Sequence, residues 1–260
     1  MTQRGLALNW PAEAIWEAVA PALPGFTVEV LPSVDSTNTE LMRRARAGQT
    51  EPVLLVAEAQ SAGRGRLGRQ WQGATAADVG ATLTFSLGLP LQMADWSGLS
   101  LAVGLSVVQS LHPALQLKWP NDVWLHGRKL AGVLIETASV GTLRYAVIGI
   151  GINIAPREAA GLSTPPAWLQ ELEPGLDAPA ALRRVVPPLV QMLQRFAQHG
   201  FAPLRPAYAT RDALAGRPVQ LSDGTQGLAQ GVDDDGALLV HTLAGLARIN
   251  SAEVSVRPSA

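Results

Sequence analysis

The chain contains no cysteine, which excludes disulfides, thiol nucleophiles and thiolate metal sites and is compatible with the cytoplasm, the expected location given an N-terminus unlike a signal peptide. Histidine is scarce. His112, His126, His199 and His241 lie scattered beside turn signals or helix ends, without an H-E-x-x-H pair, so no metal site built from protein clusters is expected. An excess of charge of one sign is also missing: 20 Lys and Arg stand against 21 Asp and Glu, for a formal net charge of -1. No global field then draws DNA or an anionic membrane, and any anion site must be local. The longest apolar stretch, WSGLSLAVGLSVVQSL (96–111), is interrupted by serines, glycines and a glutamine and is short for a membrane span, so it reads as a buried helix. Glu13 and Glu17 interrupt the N-terminal region, which does not resemble a signal peptide. The G-x-S-x-G elbow and the G-x-x-x-x-G-K-[ST] phosphate loop are absent as well.

What is present is 260 residues, 47% of them hydrophobic, enough for one large domain or a large and a small one. Pro11 opens an amphipathic helix to about residue 20, and FTVEVLP (26–32) alternates as a strand does. In VDSTNTELMRRARAG, Asp35, Ser36 or Thr37 serves as N-cap of a second helix, with Glu40 completing a capping box with Thr37 and Gly48 ending the helix. VLLVAE (53–58) and ATLTFSL follow as strands. LQLKWP, DVWL, LAGVLIET and LRYAVIGIGINI then read as four closely spaced strands, whose short connections favour antiparallel hairpins. The segment 178–198 is helical, with Pro187 and Pro188 breaking or kinking it. From about 214 short strands and tight turns take over, and Asp233, Asp234, Asp235 and Gly236 read as a hairpin turn because the later ligands of a calcium loop are missing. The expected domains are 1–213 and 214–260.

Three polar clusters carry chemistry. DSTN (35–38) begins a helix; one oxygen suffices for a cap, yet Ser36, Thr37 and Asn38 offer several donors and acceptors. In QSAGRGRLGRQW, Gln60 is followed by Arg64, Arg66 and Arg69 interleaved with Gly63, Gly65 and Gly68, a spacing that can clamp a phosphate or carboxylate, with Trp71 adding an aromatic face. The same stretch fits G-x-G-x-x-G, but without the strand–turn–helix setting of a dinucleotide fold. In KWPNDVWLHGRKLAGVLIE (118–136), Asn121 and Asp122 follow a proline as a turn would, while Lys129 enters an otherwise apolar strand.

Taken together, and in this order, DSTN, GRGRLGR with Trp71, KWPNDVWL, GRKLAGVLIE and IGIGINI resemble the biotin-protein ligases, also called holocarboxylase synthetases, over roughly residues 30–256. The resemblance implies an α+β fold: a mixed, largely antiparallel sheet with helices, like the catalytic domain of class II synthetases, and a small C-terminal SH3-like β-barrel. It also implies condensation of biotin with ATP and Mg²⁺ to biotinyl-5'-AMP, then transfer to one lysine of a biotin carboxyl carrier protein. By the same resemblance Ser36, Thr37, Asn38, Gln60, Arg64, Gly65, Arg66, Lys129 and Gly132 line the biotin pocket. Arg64, Arg66, Arg69, Trp71, Gly151, Asn153 and Trp168 hold ATP or the adenylate, with the loop APREAAGLSTPPAW closing over it. Lys129 and Arg66 serve catalysis, and Asp122 orients or deprotonates the acceptor lysine.

Two features depart from the pattern. Only about 30 residues precede the first motif, so a form without the DNA-binding domain is expected, with homodimerisation possible in principle. Thr82 and Thr84 stand where Asn and an aromatic residue are common. The competing readings are a lipoate- or octanoate-transferring relative, and a single-strand nucleic-acid binding module using the arginine loop. Arg66→Gly is expected to loosen adenylate retention and label nearby lysines indiscriminately.

Overall fold

The computed structural model describes residues 8–75, 78–156, 166–250 and 256–258. Its main layer is a seven-stranded sheet built from β1 (Thr27–Leu31), β2 (Val53–Ala57), β3 (Thr82–Pro90), β4 (Gln116–Lys118), β5 (Asp122–Leu125), β6 (Arg128–Val140) and β7 (Leu143–Asn153). The spatial order is β1-β2-β3-β7-β6-β5-β4. All neighbours pair antiparallel except β1 and β2. That parallel pair is the part the hairpin argument does not anticipate: α2 (Thr37–Arg46) lies between the two strands and supplies the crossover a parallel return needs.

Strand patterning explains how one face becomes a core and the other a site. Along β3, Leu83, Phe85 and Leu87 join the main core while Thr82, Thr84 and Ser86 point the opposite way. Along β7, Ile148, Ile150 and Ile152 enter that core while Gly149 and Gly151 face the other side. The core face is covered by α1 (Ala12–Val19), α3 (Leu99–Leu111) and α4 (Ala178–His199). The helix read at 96–111 starts later, at Leu99, after Gly98 in the left-handed region.

Pro187 and Pro188 do not break α4, which stays helical over 22 residues. Asp177 caps it, accepting from the Ala180 N–H at 2.8 Å. Val185, Val186, Leu189, Val190 and Leu193 are buried around the prolines, and this packing outweighs the lost hydrogen bonds. At the start of α2 one of the three cap candidates is selected, and the expected capping box is not formed. Ser36 is the N-cap, accepting from Thr39 N–H, and Thr37 is the first helical residue. Glu40 completes no box; its carboxylate pairs with Arg43 and Arg44.

After the short helix α5 (Arg205–Ala209), β8 (Pro218–Leu221), β9 (Gln226–Val232), β10 (Leu238–Thr242), β11 (Gly245–Ile249) and β12 (Val256–Pro258) form a five-stranded antiparallel sheet in the order β11-β10-β9-β8-β12. Asp233 turns the β9–β10 connection, its Oδ1 accepting from the N–H groups of Asp235 and Ala237. The two sheets share one core. Trp119, fully buried on the KWPND segment, donates its indole N–H to the Gly236 carbonyl at 3.0 Å. The peptide bond that follows, Trp119–Pro120, is cis.

Candidate ligand site

On the sheet face away from the main core lies a cavity of about 350 Å³, within the usual range for small-molecule sites. Ser36, Thr37, Asn38, Gln60, Arg64, Gly65, Arg66, Arg69, Trp71, Asp122, Lys129, Gly132, Gly151 and Asn153 all line it. The three polar clusters, at 35–38, 60–71 and 118–136 along the chain, therefore meet in one place.

One end is a buried hydrogen-bond chain at the start of α2. Gln60 Oε1 accepts from the Thr37 N–H at 2.7 Å, which turns the Gln60 amide N–H₂ group away from Thr37. The Ser86 hydroxyl lies 2.7 Å from Thr37 Oγ1 and 2.6 Å from Asn38 Oδ1. An amide oxygen only accepts, so the Ser86 proton goes to Asn38 and the Thr37 hydroxyl supplies the other contact. Asn38 Nδ2 donates to the Leu134 carbonyl at 3.2 Å and to Glu136 Oε2 at 3.0 Å. Both Asn38 N–H groups are thus committed, and its oxygen keeps one lone pair for a ligand donor. Asn38, 3% exposed, occupies the space that a side chain at Gly149 would fill: an alanine Cβ there would lie 2.1 Å from Asn38 Oδ1.

The middle of the cavity is cationic. Leu67 and Gly68 both take left-handed backbone (φ 54° and 70°) and fold the loop into a tight turn, closed by Gly65 N–H to the Arg69 carbonyl at 2.7 Å and Trp71 N–H to the Gly63 carbonyl at 2.9 Å. Arg66 reaches Asn121 Oδ1 at 3.5 Å. Burial lowers the Arg66 guanidinium from its ordinary pKa, and the charge of Asp122 acts to raise it; starting so far above neutrality, it stays a cation. Lys129 Nζ pairs with Asp122 Oδ1 at 2.7 Å and sits 5.9 Å above the Trp71 ring. Asp122 faces Gly132 across β5 and β6, and a Cβ at Gly132 would come within 3.2 Å of the Lys129 ammonium.

The other end is aromatic. Trp71 lies against Gly151, whose missing side chain leaves room for it: a Cβ would fall 2.4 Å from the indole. Asn153 Nδ2 donates to the Ala167 carbonyl at 3.0 Å and fixes the end of β7 against that segment. Trp168 is the exception among the expected residues. It does not line the cavity; its backbone N–H donates to Glu171 Oε1 at 3.0 Å and its ring lies 5.9 Å from the Arg128 guanidinium, which pairs with Glu171. Most of the loop expected to close over a ligand, 157–165, lies outside the described residues.

Four residues that sequence reasoning left without a role also belong here. Lys118 and Asn121 line the cavity from within the KWPND motif. Ser86 and Glu136 hold Asn38, and Glu136 also pairs with Arg64 at 3.1 Å. The signal for Ser86 was the alternation Thr82, Thr84, Ser86 on one face of a strand. Thr82 accepts from the Ala74 N–H at 2.6 Å and Thr84 donates to the Ala57 carbonyl at 2.9 Å, so these departures stabilise the site's walls.

A cavity with a hydrogen-bonding end, a cationic middle and an aromatic end suits an acyl-activating enzyme that joins a carboxylate to a nucleotide. Residues 30–153 match the Biotin/lipoate A/B protein ligase family, and 215–257 match the Biotin protein ligase C terminal domain. The chain is 35% identical over 237 residues to a biotin--[acetyl-CoA-carboxylase] ligase of Paracoccus denitrificans, covering 86% of this chain and 98% of that protein. It is also 35% identical over 251 residues to the bifunctional ligase/repressor BirA of Escherichia coli, covering 92% of this chain and 77% of that protein. Among solved structures, the biotin protein ligase from Aquifex aeolicus in complex with biotin and ATP superposes with a TM-score of 0.75 at 29% identity, over 89% of this chain and 99% of that one. The chain belongs to the biotin protein ligases of the biotin/lipoate protein ligase family. A dinucleotide-binding turn is not supported: the Gly/Arg stretch leads from β2 to an antiparallel partner, β3, through a turn of 3₁₀ helix.

Proposed function

We propose that the protein activates biotin with ATP to biotinyl-5'-AMP and transfers the biotinyl group to a lysine of a biotin carboxyl carrier protein. The observation that carries this is the single cavity uniting the DSTN, GRGRLGR, KWPND and RKLAG residues. The ureido carbonyl of biotin needs donors, which the Ser36 hydroxyl and the Gln60 amide supply; a ureido N–H needs an acceptor, which Asn38 Oδ1 supplies. In the first step a biotin carboxylate oxygen attacks the α-phosphorus and pyrophosphate leaves. Two anions must approach, and Arg64, Arg66, Arg69 and Lys129 lower that cost; Mg²⁺ bound with the nucleotide would supply further charge neutralisation. Trp71, Gly151 and Asn153 take the adenine side.

In the second step a neutral lysine amine attacks the acyl carbonyl, AMP leaves and the amine gives up a proton. Asp122, held beside Lys129, is the assigned acceptor of that proton or orients the amine. The division into a catalytic unit, 1–213, and a small C-terminal unit, 214–260, is supported by the second family match beginning at 215.

Biotin-dependent exchange of pyrophosphate into ATP, with lipoate and octanoate as parallel acids, tests the reading; exchange with biotin alone is expected, and exchange with none of the three by folded protein refutes it. Two glycines separate the ends of the ligand. Gly149→Ala displaces Asn38 and should raise KM for biotin by about tenfold or more, whereas Gly151→Ala displaces Trp71 and should raise KM for ATP by a similar factor. Equal effects of both variants on both constants would contradict this placement.

A further inference from the structure

The Glu136 carboxylate joins the hydrogen-bonding end of the cavity, at Asn38, to its cationic middle, at Arg64. Its Oε2 accepts from Asn38 Nδ2 at 3.0 Å. Its two oxygens also meet the Arg64 guanidinium, at 3.1 Å from Oε1 and 3.2 Å from Oε2. The carboxylate stands on β6 opposite Val147, two residues along from the Leu134–Gly149 pair over which Asn38 lies. The Glu136 side chain is 22% exposed and that of Arg64 is 49% exposed, while Asn38 is buried. One carboxylate therefore ties a rigid, buried amide at the start of α2 to an outlying arginine on the Gly/Arg loop.

We propose that Glu136 is a positioning residue that fixes the Asn38 amide for the neutral ring end of the ligand and, independently, holds Arg64 where it meets the ligand's carboxylate. The proposal rests on the biotin reading given above. Its two functions are chemically separable. The contact with Asn38 requires only an acceptor oxygen, which a glutamine retains. The contact with Arg64 requires negative charge, which a glutamine lacks. Neither contact is made to reacting atoms, so Glu136 acts through Asn38 and Arg64, and its effect is read most directly in the affinity for the acid.

The test uses the full chain and two probes, biotin and biotinamide, the latter replacing the carboxylate by an uncharged amide, with affinities measured by titration calorimetry. For Glu136→Gln, biotin is expected to bind about three- to fivefold more weakly, because a half-exposed ion pair is modest, and biotinamide within about twofold of wild type. For Glu136→Ala, both probes should weaken, biotinamide by about tenfold, because a buried Asn38 N–H loses its acceptor. Equal weakening of both probes by Glu136→Gln, or unchanged biotinamide binding by Glu136→Ala, would overturn the proposal while leaving the biotin reading intact. Failure of the wild-type protein to bind biotin would overturn that reading and this inference together. A thermal melt of each variant checks folding, and restored biotinamide binding in Glu136→Gln relative to Glu136→Ala is the rescue that general destabilisation does not produce.

Discussion

Replacing Lys129 by methionine is expected to reduce biotin-dependent adenylate formation by about 100-fold or more, in line with the loss of one preorganised charge at a developing anion. The melting temperature should shift by no more than a few degrees. Methionine retains most of the aliphatic stem against Trp71, so the packing survives and only the ammonium is removed. In wild-type protein that ammonium is held from two sides, by Asp122 at 2.7 Å and by the Trp71 face at 5.9 Å, and so needs no reorganisation when the acid and nucleotide arrive. Single-turnover formation of the adenylate gives the readout. Lys129→Arg keeps the charge on a longer, planar group and should recover only part of the rate. A methionine variant within threefold of wild type would remove Lys129 from the chemistry and leave it as a partner of Asp122 alone. Because Lys129→Met leaves the Asp122 carboxylate without its cation, pairing it with Asp122→Asn separates the two contributions.

Trp119→Ala should cost about 3–5 kcal/mol of folding stability, the range for deleting a large aromatic side chain from a core. Its indole is 1% exposed, and it donates across to Gly236 at 3.0 Å, so the alanine variant opens a void and leaves a buried carbonyl without its donor. Trp119→Phe fills most of the space and should cost about 1–3 kcal/mol, chiefly the unpaired carbonyl. Urea denaturation measures both. Activity should fall with stability in the alanine variant even under conditions where it remains folded, because Lys118, Pro120, Asn121 and Asp122, all on the cavity wall, flank the lost side chain. A variant that kept full activity and lost less than about 1 kcal/mol would show that the small sheet is not anchored to the site through this residue.

Much of this arrangement can be read in the chain itself, for reasons that are local. The alternation in IGIGIN places isoleucines and glycines on opposite faces, and the structure puts the isoleucines in the core and the glycines under Asn38 and Trp71. The capped start of α2 and the Gly/Arg turn are equally local. What escapes a sequence reading depends on partners far along the chain. Ser86 meets Asn38 across 48 residues, and Glu136 meets it across 98; on a strand, each looks like an ordinary residue of a solvated face. Trp168 likewise depends on a distant partner, its ring lying 5.9 Å from the Arg128 guanidinium on β6. The double proline in α4 shows tertiary packing overriding a local penalty. The parallel β1–β2 pair escapes because the helix between them was already explained by its caps.

The committed amide of Asn38 has a consequence for which acids the enzyme turns away. With both N–H groups bound to Leu134 and Glu136, and with Gln60 oriented by the Thr37 N–H, this end of the cavity cannot rearrange cheaply to suit a ring without polar atoms. A saturated alkyl tail or a dithiolane would enter the space and leave the Ser36 hydroxyl, the Gln60 amide and the spare lone pair of Asn38 desolvated and unanswered. Sites built this way exclude such competitors through orphaned polar groups, and discrimination of about 10⁴ is attainable without any proofreading step. Fidelity toward the acid is thus written into the hydrogen-bond directions of three residues near the mouth of one helix.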